Sequence, residues 1–145
     1  MRVVVQRVNR ASVRVAGRLV GETDLGLLVL VGFSADDTEE TLCWMADKLR
    51  GLRIFSDSTG RMNLDLEAVC GSLLVVSQFT LYGDVAKGRR PSFVGAAPPE
   101  EARSLYERFL VLCEDGGAKV ASGEFGGMMD VDLVNSGPVT LVIER

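Results

Sequence analysis

The sequence predicts an α/β fold, a layered domain of mixed, mostly antiparallel sheet with two main helices. Strand-like segments, alternating or β-branched, outnumber helical ones along the chain. Only two segments change to the 3.6-residue period of an amphipathic helix, so helices cover only part of the sheet surface.

The first third is strand-rich. "RVVVQRV" (2–8) and "ASVRV" (11–15) run β-branched, and "AGRLV" follows with Gly17 as a turn. "LGLLVLVGF" (25–33) is the uninterrupted apolar run of a buried strand. In "SADDTEETLCWMADKLRGL" the period changes: Leu42, Met45, Ala46 and Leu49 fall at i, i+3, i+4 and i+7 on one helix face. Asp36 or Asp37 caps it, with Glu39 or Glu40 three residues on, and Gly51 is its stop. "IFSDSTGRMNLDLEAV" (54–69) reads as a loop with Asp57 to Gly60 at its tip, and "GSLLVVSQFTLYGD" (71–84) as a strand ending in a polar interruption. Residues 83–97 form a Gly/Pro/basic loop. Pro98-Pro99-Glu100-Glu101 then opens the second helix, with proline in the first turn and acids at the positive end of the dipole. Its buried face is Ala102, Leu105, Tyr106, Phe109 and Leu112. "KVASGEF", "MMDVDLV" and "VTLVIE" read as closing strands, with Gly137-Pro138 where the last two meet.

At 145 residues, 47% of them hydrophobic and 25% charged, the chain suits one domain over 1–145 with a real core. The apolar run at 25–33 is far short of the ~20 residues that span a bilayer, so no membrane association is expected. The N-terminus scatters Arg2, Arg7, Arg10 and Arg14 among valines, unlike a signal peptide, and a cytoplasmic location follows. Cys43, Cys70 and Cys113 are odd in number, widely spaced and form no Cys-x-x-Cys pair, which argues against a disulfide framework and a thiolate zinc site. Cys43 and Cys113 suit packing as small hydrophobes. No metal and no cofactor is expected.

Histidine is absent altogether. That removes the commonest general base, every Ser-His-Asp or Cys-His arrangement, and the commonest metal ligand. The net charge of −4 argues against extended contact along a nucleic-acid backbone, which needs many cation–phosphate contacts. A short contact with one RNA end stays open where basic residues cluster.

Three stretches carry candidate chemistry. In "SQFTLYGD", Ser77, Gln78 and Thr80 break an apolar strand and place polar groups and Phe79 at its end. Such a site can hydrogen-bond a reacting group and stack a base, or simply satisfy neighbouring backbone. "KGRRPSF" places Lys87, Arg89 and Arg90 within four residues, as a phosphate patch or a solvated loop. "NSGPV" places Gly137-Pro138 at a strand junction, which composition alone reads as an ordinary turn with a trans bond.

Taken together and in this order, "MRVVVQRV", "SQFTLYGD…KGRRPSF" and "GEFGGMM…VNSGPVT" resemble the D-aminoacyl-tRNA deacylases over essentially the whole chain. The family commonly carries an acidic residue where this chain has Ser136, a departure that leaves Gly137-Pro138 intact. The resemblance implies a homodimer that hydrolyses the ester joining a D-amino acid, or glycine mischarged on tRNA-Ala, to the 3′-terminal adenosine of tRNA. It implies that Gly137 and Pro138, joined by a cis bond, enter the partner's active site and offer two backbone carbonyls to the substrate's ammonium group. An L-side chain would then be driven into that backbone, while a D-side chain or glycine would pass. Arg7 would brace the motif and hold the carbonyls parallel. Ser77, Gln78 and the Phe79 N–H would form the oxyanion pocket, and Phe79 would also contact the terminal adenine. The ribose 2′-OH would assist water, and Thr80 would be a supporting residue or, on an older view, a nucleophile. Lys87, Arg89 and Arg90 would receive acceptor-end phosphates, and Phe125 and Met129 would line the mouth or pack beneath it. A rival from another class is a non-catalytic homodimer that binds RNA ends or a small ligand.

Overall fold

The computed structural model describes all 145 residues. Its frame is one six-stranded sheet built around a long first strand, β1 (Arg2–Val15). One edge of β1 pairs antiparallel with β2 (Arg18–Thr23) and with β3 (Gly26–Gly32), which share its length between them. The other edge pairs antiparallel with β8 (Met129–Glu144), from Arg2↔Glu144 to Val15↔Met129. Beyond β3 the pairing turns parallel, first to β6 (Ser72–Ser77) and then to β7 (Lys119–Ser122). Parallel neighbours need a crossover connection. The first crossover carries α1 (Glu39–Gly51), and the second carries α2 (Pro99–Asp115). The sheet is therefore mixed, with two main helices, as the sequence predicts.

Packing follows from the side-chain alternation of the strands. In β3 and β6, Leu27, Val29, Val31, Leu73 and Val75 point into the main core, where Met45, Leu49 and Phe109 meet them. Leu28, Leu74 and Val76 point the other way, into a smaller cluster with Val8, Ala11 and Val13. Both strands are buried on both faces, which is why they read as continuous apolar runs rather than alternating ones. Phe109 is fully buried and meets Phe33 edge-on, with ring centroids 6.4 Å apart. No helix is long and apolar enough to cross a membrane.

Four expectations are corrected. The α1 cap is Thr38, whose hydroxyl accepts from the Thr41 N–H at 3.4 Å, rather than Asp36 or Asp37. Asp37 is committed elsewhere: it accepts from the Ser34 N–H at 2.9 Å and pairs with the Met1 ammonium. Residues 54–69 are not all loop, since β4 (Phe55–Ser56) and β5 (Met62–Leu64) form a short hairpin about the Asp57–Gly60 tip. On α2 the buried line is Ala102, Tyr106, Phe109 and Cys113, with Leu105 and Leu112 half-buried beside it. "MMDVDLV" and "VTLVIE" are one strand, β8, both halves of which pair with β1.

Burial pushes the Tyr106 phenol and the Cys113 thiol each up to about 12. The unfolded chain releases these protons first, from ordinary values of 9.0 for the thiol and 10.0 for the phenol. Stability is complete below that range and is lost as pH rises toward about 12. The urea midpoint is expected to fall between pH 8 and pH 10.5, and to fall less in Tyr106→Phe. A Tyr106→Phe profile parallel to the wild type would rule out the phenol as a source.

Candidate active site

Strand β6 delivers "SQFT" to one end of the sheet. Ser77 pairs with Val31, and the Gln78 N–H donates to the Val31 carbonyl at 2.7 Å. At Gln78 the backbone leaves the strand (φ −144, ψ 78), and Phe79–Tyr82 form a single 3-10 turn. That turn lies close over the end of β3 because Gly32 has no side chain. A Cβ there would come within 2.9 Å of the Gln78 carbonyl and 3.3 Å of both Leu81 and Tyr82.

The first amide the turn engages is that of Leu81, which donates to the Gln78 carbonyl at 3.2 Å; Gly83 donates to Thr80 at 2.9 Å. The Phe79 and Thr80 amides stand ahead of these and are not used by the turn. The Gln78 carboxamide donates to the Thr80 hydroxyl, which ties both polar side chains into one cluster. Ser77 and Gln78 are half-buried, whereas Thr80 is exposed and Phe79 is 57% exposed. The cluster offers amides, a carboxamide and hydroxyls but no general base. It suits stabilising developing negative charge more than activating a nucleophile.

The basic loop joins this cluster. Asp84 and Ser92 exchange backbone hydrogen bonds of 2.8 and 2.9 Å, closing a loop from which Lys87, Arg89 and Arg90 project, all exposed. The Phe93 ring, at the loop's root, meets Phe79 edge-on with centroids 5.0 Å apart. Gly83 makes room for it, since a Cβ there would lie 3.0 Å from the ring. Sequence reasoning quoted Phe93 without a role; its signal was its place in the same motif as the cations.

Gly137 and Pro138 sit elsewhere. The β1–β8 register jumps from Gln6↔Thr140 to Val8↔Asn135, so residues 136–139 bulge out opposite Arg7 alone. Arg7 donates from Nε to the Ser136 carbonyl at 3.2 Å and from Nη1 to the Ile54 carbonyl. Asn135, which the sequence did not single out, closes the bulge: its carboxamide donates to the Arg7 and Val139 carbonyls, both at 3.0 Å. Gly137 adopts φ +107, a conformation that favours glycine, and a Cβ there would overlap the Arg7 guanidinium. The bulge apex is exposed.

Every peptide bond is trans, Gly137–Pro138 included, which corrects the cis bond implied by the resemblance. Trans is the lower-energy isomer at X-Pro bonds by ~0.5–1 kcal/mol. The change of chain direction is made instead by Gly137 and the four-residue bulge. The Arg7 side chain donates to the Ser136 and Ile54 carbonyls, which flank or lie outside Gly137-Pro138. The chain does not bring this bulge to its own SQFT turn. Arg7 stands level with Leu27 on β3, and Ser77 level with Val31. The bulge and the turn lie roughly three strand spacings of ~4.8 Å apart across the sheet, and roughly four rises of ~3.3 Å along it.

Phe125 and Met129 are half-buried. Phe125 stacks at a tilt on Tyr106, with centroids 5.7 Å apart, and the Arg103 guanidinium lies 4.8 Å over its ring. Met129 packs into the smaller core cluster beside Gly123. The Gly123 N–H donates to the Val75 carbonyl at 2.9 Å, which places this segment alongside the end of β6. A cavity of about 600 Å³ lies at the opposite ends of β6 and β7, among Arg50, Cys70, Gly116 and Lys119, and contains none of the motif residues.

Residues 4–144 match the family model described as D-Tyr-tRNA(Tyr) deacylase. The chain belongs to that family. The D-aminoacyl-tRNA deacylase of Desulfatibacillum aliphaticivorans is 58% identical over 144 residues, covering 99% of each chain. That of Exiguobacterium sibiricum is 56% identical over 145 residues, covering 100% of each. Among solved structures, the c-Myc DNA Unwinding Element Binding Protein superposes with a TM-score of 0.94 at 38% identity, over 100% of this chain and 99% of that one. A probable eukaryotic D-amino acid tRNA deacylase gives 0.85 at 22% identity over 98% and 97%, a likeness of fold. With the deacylase family established, the SQFT turn and the Gly137-Pro138 bulge are the two elements whose roles need explaining.

Asn135→Ala removes both hydrogen bonds that close the bulge and should lower stability by about 1–2 kcal/mol. Urea denaturation measures this; an unchanged midpoint would show that the bulge holds its shape without Asn135.

Proposed function

We propose that this protein hydrolyses the ester bond of D-aminoacyl-tRNA, releasing the D-amino acid and free tRNA. Residues 1–145 act as one deacylase domain, in the cytoplasm, where charged tRNA is found. The observation that carries the reading is the SQFT turn: two amides ahead of the turn's first hydrogen bond, a carboxamide and an exposed phenyl ring at a strand end. An aminoacyl ester is already activated, so hydrolysis needs position and oxyanion stabilisation more than a strong base. The Phe79 N–H, Ser77 and Gln78 supply the stabilisation, and the ribose 2′-OH beside the scissile carbonyl assists the attacking water. A chain with no histidine suits such chemistry. Thr80, bound by Gln78 and without a base, supports the cluster rather than attacking the ester.

Phe79, braced by Phe93, presents a face to the terminal adenine, and Lys87, Arg89 and Arg90 meet the acceptor-end phosphates. An acidic protein with one local basic loop suits gripping one end of a tRNA rather than its body. Phe125 and Met129 shape the side of the site through the packing of the 123–129 segment.

Chiral selection comes from the Gly137-Pro138 bulge of a second copy in a homodimer. The distance between bulge and turn within one chain favours service to a partner's site. Val131, Leu133 and Val142 on β8 expose apolar surface that a second copy would cover. Residues 136–139 stand outside the β1–β8 register and Gly137 and Pro138 are exposed, so this stretch of backbone is open to a substrate. Selection rests on exclusion by this backbone. An L-side chain meets it, while a D-side chain or the hydrogen of glycine, including glycine on tRNA-Ala, does not.

A second reading is a nucleic-acid-binding module without turnover, favoured by the likeness to the c-Myc DNA Unwinding Element Binding Protein and by the basic loop. Deacylation of D-Tyr-tRNA and L-Tyr-tRNA separates the readings. The D-ester is expected to be cleaved and the L-ester spared. Equal cleavage removes chiral selection, and RNA binding with no cleavage leaves the binding module. A tRNA ending in 2′-deoxyadenosine should lose most turnover, whereas unchanged turnover rejects 2′-OH assistance. Thr80→Ala should keep turnover within about tenfold; complete loss with binding intact would assign the nucleophile to Thr80.

A further inference from the structure

We propose that Arg2 is a positioning residue for this reaction, gripping the SQFT turn from the side so that the Phe79 and Thr80 amides keep their aim. The inference rests on the reading of that turn as the ester site. None of the residues Phe79–Tyr82 is fully buried, so the turn has no core of its own to fix it. Arg2 supplies the missing hold. Its Nη1 donates to the Leu81 carbonyl at 3.1 Å, and its guanidinium lies 4.7 Å over the Tyr82 ring. Its Nε meets the Glu144 carboxylate at 3.0 Å, so one side chain ties the turn to both β1 and β8.

The grip has a floor beneath it. Arg2 stands opposite Gly32 in the β1–β3 register, and Gly32 is the residue whose missing Cβ lets the turn approach. Arg2 from the side, Gly32 from below and Phe93 from the loop hold the turn at three points. A planar guanidinium suits this task, because its fork donates to a carbonyl while its face covers an aromatic ring. Lysine, a point charge, does only part of it. The Arg2–Glu144 pair is half open to solvent and is the weakest of these contacts.

Oxyanion donors act on charge that develops only in the transition state, so misaiming them lowers kcat more than it weakens substrate binding. Arg2 touches Leu81, Tyr82 and Glu144 directly, whereas the Phe79 ring is braced by Phe93 and the basic loop closes on itself through Asp84 and Ser92. The experiment compares wild type, Arg2→Met, Arg2→Lys and Glu144→Gln in single-turnover and steady-state deacylation of D-Tyr-tRNA. Amide hydrogen exchange is followed at Leu81 and Gly83. Arg2→Met is expected to lose about 10- to 100-fold in kcat with KM within about twofold. Arg2→Lys should recover part of that loss, Glu144→Gln should keep kcat, and exchange at Leu81 and Gly83 should quicken in Arg2→Met. A lower melting temperature with unchanged kcat overturns the proposal, as does a loss carried equally by KM. Should the wild type leave D-Tyr-tRNA uncleaved, the deacylase reading fails by itself and exchange decides the grip. Faster exchange in Arg2→Met sustains it, and equal exchange overturns it.

Discussion

The structure depends on β1 being paired along both edges. Its inner edge carries β2 and β3, through which the parallel strands β6 and β7 are placed, and its outer edge carries β8. A strand hydrogen-bonded on both sides has little freedom to slip, because a one-residue shift would turn its apolar face to water. The two functional elements are referenced to it from opposite sides. The SQFT turn is reached through β3 and β6, and the Gly137-Pro138 bulge through β8. Arg7 and Arg2, near the two ends of the β1–β3 ladder, reach those elements directly with side chains. The first strand therefore sets the position of both the SQFT turn and the Gly137-Pro138 bulge.

What the sequence made legible was local and periodic. Leu42, Met45, Ala46 and Leu49 are all buried, as one helix face requires. Ser77 does end a strand in a polar cluster, because a switch from apolar run to Gln and Thr marks the loss of cross-strand partners. What was not legible depended on partners distant in sequence. Asp37 looks like a cap until the ammonium of Met1 and the Ser34 amide claim it. "NSGP" looks like a turn between two strands until both flanks are found on the same neighbour, which converts it to a bulge of four residues facing one. Asn135 carried no signal, since an Asn before a Gly-Pro junction suits a turn equally well. The isomer of Gly137–Pro138 was beyond sequence too, and the resemblance implied the wrong one for this structure.

The absence of histidine becomes intelligible once the polar cluster is assembled. Hydrolases that activate a hydroxyl need a base held against it, and the base in turn needs an orienting group. Here the hydroxyl of Thr80 is occupied by a neutral carboxamide, which can orient it but cannot take its proton at neutral pH. Unengaged amides at the head of a short turn carry partial positive charge without titrating, so their effect is flat across the physiological range. On the proposed reading, a site of this kind would suit a substrate that brings its own activation, as an aminoacyl ester does.

On the proposed reading, selection and chemistry rest on separate elements. The turn is fixed by packing and by Arg2, and on that reading its groups face an ester that is the same for every amino acid. The bulge is fixed by Arg7 and Asn135, and its Gly137 lacks the Cβ that would overlap the Arg7 guanidinium. Discrimination by a backbone, as proposed, contains no side-chain preference to be satisfied, so the same atoms would reject one hand of many amino acids. Such exclusion demands a stiff obstacle, since a yielding one would admit the wrong hand. The hydrogen bonds to Ser136, Val139 and the Arg7 carbonyl are placed on either side of Gly137-Pro138, where stiffness is required.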